Sequence, residues 1–301
     1  MRRALLALAA ILAVIAGAWL LISPPKLLSL VDGVAGGGRG AERVAKAVPF
    51  GSHGQTLDIW APERVSGPAG ARALPVVIFW YGGGWVKGDR DAYAFAGRAL
   101  AKAGFVVVIP DYRKVPKVLF PDFLVDGAEA VRWTRDNIAR FGGNPTRLGF
   151  AGHSAGAYEA VMLALDSRWL KAQGVDPAIV GGVVGLSGPY DFYPFDSPRS
   201  KAAFGKAPDP QLTQPIRFAR DDAPPMLLVT SAGDTLVRAR NANNLAARLT
   251  DLGAPVEVRN YGPLSHEEVV MALSKPFRDK APVLGDMSAF FHAALSDRPS
   301  R

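Results

Sequence analysis

Short apolar runs alternate with amphipathic segments along most of the chain from residue 42 onward. The apolar runs predict buried strands at 44–50, 56–60, 75–80, 105–110, 147–151, 179–186, 225–230 and 255–259. Between them, apolar positions at helical spacing predict helices at 92–103, 122–141, 155–166, 238–252 and 283–295. The first two strands predict an antiparallel pair. The whole pattern is typical of an α/β fold, in which a mostly parallel sheet is covered by helices on both faces.

One stretch, 192–222, interrupts this alternation. Prolines break up any long element in it, and they are Pro194, Pro198, Pro208, Pro210 and Pro215. Long irregular excursions inside compact domains usually carry a function. We therefore expect 192–222 to form a small cap over the α/β domain.

The N-terminus has a different pattern. Arg2 and Arg3 precede an uncharged apolar stretch at 4–22, which as a helix would nearly match the ~30 Å hydrocarbon core of a bilayer. The positive-inside rule then keeps the arginines in the cytoplasm and sends the rest of the chain across. Two interpretations remain open, an uncleaved anchor and a signal peptide cleaved after Ala16-Gly17-Ala18. Both place the α/β domain outside the cytoplasm, on the periplasmic side in a bacterium.

These patterns divide the chain into a membrane anchor or signal peptide at 1–23, a linker at 24–41, an α/β domain at 42–297 and a tail at 298–301. The linker contains Val34-Ala35-Gly36-Gly37-Gly38-Arg39-Gly40. Such a glycine-rich run is expected to be a flexible tether and not a helix.

Composition narrows the function. The chain is 49% hydrophobic and 21% charged, which is enough apolar material for one large core. Its net charge of +8 is scattered, so no nucleic-acid interface is expected. The absence of cysteine excludes disulfides, thiolate metal sites and a cysteine nucleophile. Composition does not predict an oligomeric state.

The main chemical motif is Gly152-His153-Ser154-Ala155-Gly156. A predicted strand leads into it and a predicted helix follows, which is the context of a nucleophile elbow. Small residues on both sides relieve the crowding of a turn that presents the serine hydroxyl. Ser154 is therefore the predicted nucleophile.

A serine hydroxyl needs a histidine base, which in this topology follows the elbow in the order Ser, Asp or Glu, His. Of four histidines, His53 precedes the elbow, His153 lies inside it and His292 lies on the C-terminal helix. His266 alone sits in a loop after the last strand, so it is the predicted base.

The carboxylate that orients the histidine should follow the preceding strand, and Asp234 does so directly after 225–230. Asp191 is the second candidate acid, because it follows the strand after the elbow helix. We expect Asp191 instead to organise the start of the cap through hydrogen bonds to nearby backbone.

Acyl transfer also needs backbone N–H donors for the oxygen that becomes negatively charged. Tyr81-Gly82-Gly83-Gly84-Trp85 follows the strand at 75–80, where such donors are expected. Gly83, Gly84 and Ala155 are the predicted donors, and Ala155 has the dipole of the elbow helix behind it.

Taken together, the chain resembles the hormone-sensitive-lipase-like and feruloyl-esterase-like (BD-FAE-like) branches of the α/β-hydrolase superfamily over about residues 45–297. The resemblance rests on ordered motifs: residues 57–62, the glycine triplet with Trp85, residues 111–113, Phe120-Pro121 with Asp126, residues 141–145, the elbow, and the segments of Asp234 and His266. It implies an α/β-hydrolase fold and hydrolysis of small-molecule carboxylic esters through an acyl-enzyme, without metal or organic cofactor.

Two positions depart from that family. Histidine usually stands where this chain has Tyr81, and a second glycine is common where it has Ala157. Neither change removes a reacting group, but the first affects the loop that carries the donors. An amidase or arylformamidase using the same triad stays open as an alternative. So does a membrane-tethered binding protein that has the fold without the activity.

Overall fold

The computed structural model describes residues 23–63 and 73–296. Its eight strands are β1 Ala41–Phe50, β2 Gln55–Pro62, β3 Leu74–Trp80, β4 Val106–Pro110, β5 Gly143–His153, β6 Val180–Leu186, β7 Met226–Thr230 and β8 Val256–Asn260. They form one sheet in the order β1-β2-β4-β3-β5-β6-β7-β8. β2 pairs antiparallel with both β1 and β4, and all other pairs are parallel. The sheet confirms the predicted mostly parallel α/β-hydrolase architecture.

The helices of the described chain are α1 Pro24–Asp32, α2 Ala94–Lys102, α3 Asp122–Asn137, α4 Ala155–Leu165, α5 Arg168–Ala172, α6 Pro198–Phe204, α7 Arg240–Asp251, α8 His266–Met271 and α9 Val283–Ala294. α2 and α9 pack against each other on one face of the sheet, and α3 and α4 do so on the other. Both faces are thus covered, as the alternating pattern predicts.

The core lies along the central strands. In β3 and β4 nearly every side chain is fully buried, which is why their sequences are continuous apolar runs and do not alternate. Burying one such Val, Ile or Phe side chain contributes about 1.5–3 kcal/mol. This packing fixes the carboxyl ends of the strands, from which the catalytic loops emerge.

Residues 24–41 differ from the expected linker. Pro24–Asp32 is a helix, one more helical turn covers Gly33–Gly37, and β1 begins at Ala41. The buried Asp32 carboxylate accepts hydrogen bonds from Arg98 Nε at 2.8 Å and from the backbone N–H of Lys275 at 2.7 Å. The prediction of a flexible tether was wrong here, because partners distant in sequence supply the order that a glycine-rich backbone lacks.

The expected anchor or signal peptide lies, except for Ser23, outside the described residues. Among residues 23–63 and 73–296, no helix is both long and apolar enough to cross a bilayer.

The excursion at 192–222 contains α6 and two short 3₁₀ helices, Pro210–Thr213 and Pro215–Phe218. Its aromatic side chains pack on the glycine loop: Trp85 lies 4.7 Å from Phe204 and 6.1 Å from Phe192 between ring centroids. Tyr158 of α4 also donates its hydroxyl to Thr213 O at 2.9 Å. The excursion therefore rests against both the glycine loop and the elbow helix.

Candidate active site

Ser154 occupies a sharp turn between β5 and α4, with φ 56° and ψ −120°. That conformation is costly for any residue other than glycine and is typical of functional sites. A Cβ on Gly152 would lie 2.2 Å from Gly156 O, and one on Gly156 would lie 2.1 Å from Trp80 O. The motif thus has glycine at both positions because no side chain fits there.

His266 and Asp234 form a buried pair. His266 Nδ1 lies 2.8 Å from Asp234 Oδ2, and the two residues are 6% and 3% exposed. The other carboxylate oxygen of Asp234 accepts the N–H groups of Leu236 at 3.0 Å and Val237 at 2.8 Å. Burial opposes the charge on Asp234, but the hydrogen bond and charge of His266 and the Val237 N–H outweigh it, so the pKa of Asp234 lies below its usual range.

The loops of this pair are held together by Ser231, whose hydroxyl lies 2.7 Å from Gly262 O and 2.6 Å from Leu264 O. His266 begins α8, and its position is fixed by a capping box. Ser265 Oγ accepts the Glu268 N–H at 3.3 Å, and Glu268 Oε2 accepts the Ser265 N–H at 2.9 Å. The spacing of Ser265 and Glu268 is a signal in the sequence from which this cap could have been predicted.

His153 connects the elbow to the histidine loop. Its Nε2 donates to His266 O at 3.0 Å, Tyr93 Oη lies 3.2 Å from its Nδ1, and its ring centroid is 4.8 Å from that of His266. Burial, and the proximity of His266, lower the pKa of His153 to about 3, so it stays neutral and keeps this tautomer. The residue beside the nucleophile thereby holds the base loop next to the elbow.

The Ser154 hydroxyl faces a cavity of about 200 Å³. Within the described parts of the chain it has no hydrogen-bond partner. Catalytic hydrogen bonds are often long before substrate binds, so this is compatible with proton transfer to His266 in a complex. The hydroxyl is left open to an incoming molecule.

Three backbone N–H groups of the glycine loop and the elbow are unbonded, and Gly84 lines the same cavity as Ser154. Among the residues described, no acceptor is bonded to the N–H of Gly83, Gly84 or Ala155. Gly83 and Gly84 have φ values of 147° and 61°, which favour glycine, and a Cβ on Gly83 would lie 2.0 Å from Lys87 O. Unbonded donors on a fixed loop are what stabilisation of an oxyanion requires.

Tyr81 anchors this glycine loop. Its hydroxyl donates to Asp111 Oδ1 at 2.9 Å, its carbonyl accepts the Tyr112 hydroxyl at 3.0 Å, and the Tyr81 and Tyr112 rings stack at 4.8 Å. Burial, together with the Asp111 charge, raises the pKa of Tyr81 well above its usual range, so the hydroxyl remains a donor. The departure from histidine at this position thus leaves a loop that is tied down by its own partners.

The other candidates lie elsewhere. Asp191 accepts a hydrogen bond from Asn244 Nδ2 at 2.7 Å, and its backbone N–H donates to Asn241 Oδ1 at 3.0 Å. Among the described residues, the Asp191 carboxylate therefore accepts from a side chain on α7 and not, as was expected, from the nearby backbone, and His266 is bonded to Asp234 instead. Ala157, the second departure from the family, is fully buried in α4.

One side-chain group in the described chain has metal-ligand geometry. His53, Asp126 and Glu129 place ligand atoms within 4.8 Å of one another. The Arg113 guanidinium, however, donates to both oxygens of Asp126 at 2.7–3.0 Å, and Ser52 donates its hydroxyl to Glu129 at 2.7 Å. These carboxylates thus already hold protein donors, one of them cationic, and the arrangement is a structural network at the start of α3.

Sequence reasoning missed three arginines that line the same cavity as Ser154, namely Arg199, Arg238 and Arg240. No motif joins them. Arg199 lies in the excursion, and the other two flank the start of α7, so only the fold brings them together.

Comparison with known proteins agrees with this geometry. The chain is 25% identical over 280 residues to the isoprenylcysteine alpha-carbonyl methylesterase ICME of Arabidopsis thaliana, a match that covers 85% of this chain and 64% of the relative. It is 30% identical over 215 residues to the esterase LipC of Mycobacterium tuberculosis, covering 65% and 52%. The chain thus spans about half to two thirds of the length of these relatives.

The fold also matches solved structures. A truncated carbohydrate esterase from gut microbiota superposes with a TM-score of 0.71 at 22% identity, over 85% of this chain and 96% of that one. Finally, the BD-FAE family model matches residues 57–249, which is more than half of the chain. The elbow, the glycine loop and the Asp234 segment all lie within that range, and by this match the chain belongs to the BD-FAE family of α/β-hydrolases.

Proposed function

We propose that this protein is a serine carboxylesterase that hydrolyses small-molecule esters through an acyl-enzyme on Ser154. The observation that carries the proposal is the buried Asp234–His266 pair beside a strained, unbonded serine. The family and the esterase names of the relatives support the same conclusion.

In the proposed reaction His266 Nε2 accepts the hydroxyl proton of Ser154 as the oxygen attacks the ester carbonyl. Asp234 holds Nδ1–H of the ring, which leaves Nε2 as the basic atom, and stabilises the imidazolium that forms. His266 then gives the proton to the leaving alcohol. Water, activated in the same way, releases the acid and regenerates Ser154.

The tetrahedral intermediate places a negative charge on the former carbonyl oxygen. The N–H groups of Gly83, Gly84 and Ala155 are the donors for it. A well-aimed donor of this kind contributes about 3 kcal/mol to the transition state. Their lack of other partners means that no hydrogen bond has to break when the charge develops.

Labelling with a fluorophosphonate probe tests the nucleophile. Wild-type protein should be labelled, Ser154→Ala should not, and hydrolysis of 4-nitrophenyl butyrate should fall by about 10⁶-fold in kcat, as when a triad serine is removed elsewhere. Ser296→Ala is the matched control, because Ser296 is exposed and its hydroxyl donates to Ala293 O within the described chain. Equal labelling of Ser154→Ala and wild type would contradict the assignment.

We further propose that the N-terminal segment attaches the enzyme to a membrane, with the catalytic domain outside the cytoplasm. The support is Arg2 and Arg3 before the apolar stretch at 4–22, and three exposed apolar side chains just after it, Leu30, Val31 and Val34. Esterase activity should sediment with membranes and be released by detergent. Activity that stays soluble would indicate cleavage after Ala18, and protease resistance in intact spheroplasts would contradict the orientation.

A further inference from the structure

The cavity at Ser154 has an unusual charge. Arg199, Arg238 and Arg240 line it, and Asp196 is the acidic residue in the same lining. The described part of the cavity wall therefore has more positive than negative groups, next to the residue that would attack a substrate.

None of these three guanidinium groups has a hydrogen-bond or ion-pair partner among residues 23–63 and 73–296. Other arginines of the chain do: Arg90 is paired with Asp58 and Asp111, and Arg113 with Asp126. Arg90 and Arg113 are partly buried, whereas the three cavity arginines are exposed and keep their donors free. Unpaired guanidinium groups on residues that line one cavity are available to bind an anion there.

The three side chains come from two sides. Arg199 lies on α6 and packs over the glycine loop, where a Cβ added to Gly84 would lie 2.6 Å from Arg199 Cδ. Arg238 lies on the loop between Asp234 and α7, and Arg240 is the first residue of α7. A molecule bound in the cavity at Ser154 would therefore meet arginines both beside the glycine loop and beside the Asp234 loop.

We propose that the enzyme prefers esters that carry an anionic group, a carboxylate or a phosphate, at a distance from the scissile bond. The inference rests on the proposed esterase function and names its substrate class. Guanidinium groups donate paired hydrogen bonds that match carboxylate and phosphate oxygens. Because the arginines are solvent-exposed, water and salt screen them, and the preference should be moderate.

The test compares matched charged and neutral esters. For an anion on the alcohol side the substrates are 4-acetoxybenzoate and 4-acetoxyphenyl phosphate, with 4-acetoxybenzamide as the neutral control. For an anion on the acyl side they are mono-4-nitrophenyl adipate and its methyl ester. The readout is the ratio of kcat/KM for the charged ester to that for the neutral one. Because each ester has the same intrinsic reactivity with every variant, a change of this ratio between variants reports the effect of the substitution alone.

Arg199→Gln, Arg238→Gln and Arg240→Gln, made singly and together, remove the charges. The triple variant should lower the ratio by about tenfold or more for at least one charged ester, and raising the salt should lower it in wild type only. Arg248→Gln is the control, since Arg248 is exposed on the same helix about 12 Å from Arg240. It should leave the ratio unchanged.

The arms separate the possible results. If the triple variant lowers the charged-to-neutral ratio for one ester and not for the others, that ester identifies where the anionic group binds. It shows whether the group lies on the alcohol or the acyl side, and whether it is a carboxylate or a phosphate. A ratio that is the same in wild type and the triple variant, with neutral esters still hydrolysed, overturns the charge preference alone. Absence of any hydrolysis that depends on Ser154 would overturn the esterase function itself.

Discussion

Two regions meet at the cavity and are built in opposite ways. We define the floor as the carboxyl ends of β5 and β7 with the loops of Asp234 and His266. Hydrogen bonds from buried side chains hold its loops in place. The roof, the excursion at 192–222, is held by packing of aromatic rings on Trp85 and by a few hydrogen bonds such as that from Tyr158 Oη to Thr213 O, and it exposes many of its polar groups. Hydrogen bonds are more directional than contacts between rings.

The difference indicates how the two tasks of the site are divided. Proton transfer needs atoms positioned to a fraction of an ångström, and the floor supplies this. Choice of substrate needs shape and charge, which a packed segment with exposed side chains can supply and vary. Changes in the floor should thus affect kcat, and changes in the roof should affect KM and stability.

The largest effect is expected from Asp234→Asn. The amide oxygen should stay with the N–H groups of Leu236 and Val237, so the NH2 group faces His266 Nδ1 and the ring carries its proton on Nε2 instead. As a result, kcat should fall by about 10⁴-fold with little change in KM. Steady-state kinetics on 4-nitrophenyl butyrate measure this. Asp191→Asn is the control and should stay within about tenfold of wild type, since Asp191 is bonded to Asn244. The reverse ranking would make Asp191 the catalytic acid.

A smaller effect, mainly on stability, is expected from Phe204→Ala in the roof. Phe204 is fully buried among Trp85, Tyr158 and Phe192, so the cavity left behind should reduce the free energy of unfolding by about 3 kcal/mol. Urea unfolding measures this, with Leu212→Ala, 44% exposed, as the control. Labelling of Ser154 by fluorophosphonate should persist. Its loss in a folded Phe204→Ala protein would show that the roof also positions the nucleophile.

The smallest effect concerns Glu159 on α4, the helix that follows Ser154, whose carboxylate is fully buried and unbonded among the described residues. Burial, and after it the nearby Asp126, raise the pKa of Glu159 well above its usual range. The folded state thus holds this proton to a higher pH than the unfolded chain does, and the free energy of unfolding falls as pH rises above the unfolded-state pKa.

Glu159→Gln removes that titration. Its melting temperature should exceed that of wild type by about 3 °C at pH 9, and the difference should shrink at pH 5. Glu257→Gln, on the exposed surface of β8, should show no such dependence. A pH-independent difference for Glu159→Gln would mean that Glu159 does not titrate between these pH values in either state.

The sequence predicted the elements well where local pattern decides. The apolar run at 75–80 became β3, and helix 155–166 became α4, because burial and period are properties of neighbouring residues. The elbow, acid and histidine could be proposed because topology orders them along the chain. The structure bonds Asp234 to His266 and places their loops beside Ser154.

What could not be predicted depends on contacts across the chain. The helix at Pro24–Asp32 is stabilised by Arg98 and Lys275. These contacts could not be predicted from the residues near the helix. The anchor of Tyr81 is Asp111, thirty residues further along the chain. The cavity arginines belong to separate segments. In the sequence, each one looks like an ordinary exposed surface residue, so their shared cavity could not be predicted.

The docked helix α1 also has a mechanical consequence. Since Asp32 is joined to both Arg98 and Lys275, a pull on residue 23 would pass into two parts of the domain far apart in sequence, with no slack chain to extend. The cavity therefore keeps a fixed orientation relative to the start of α1. A surface that held residue 23 would thus also set the direction from which a substrate approaches Ser154.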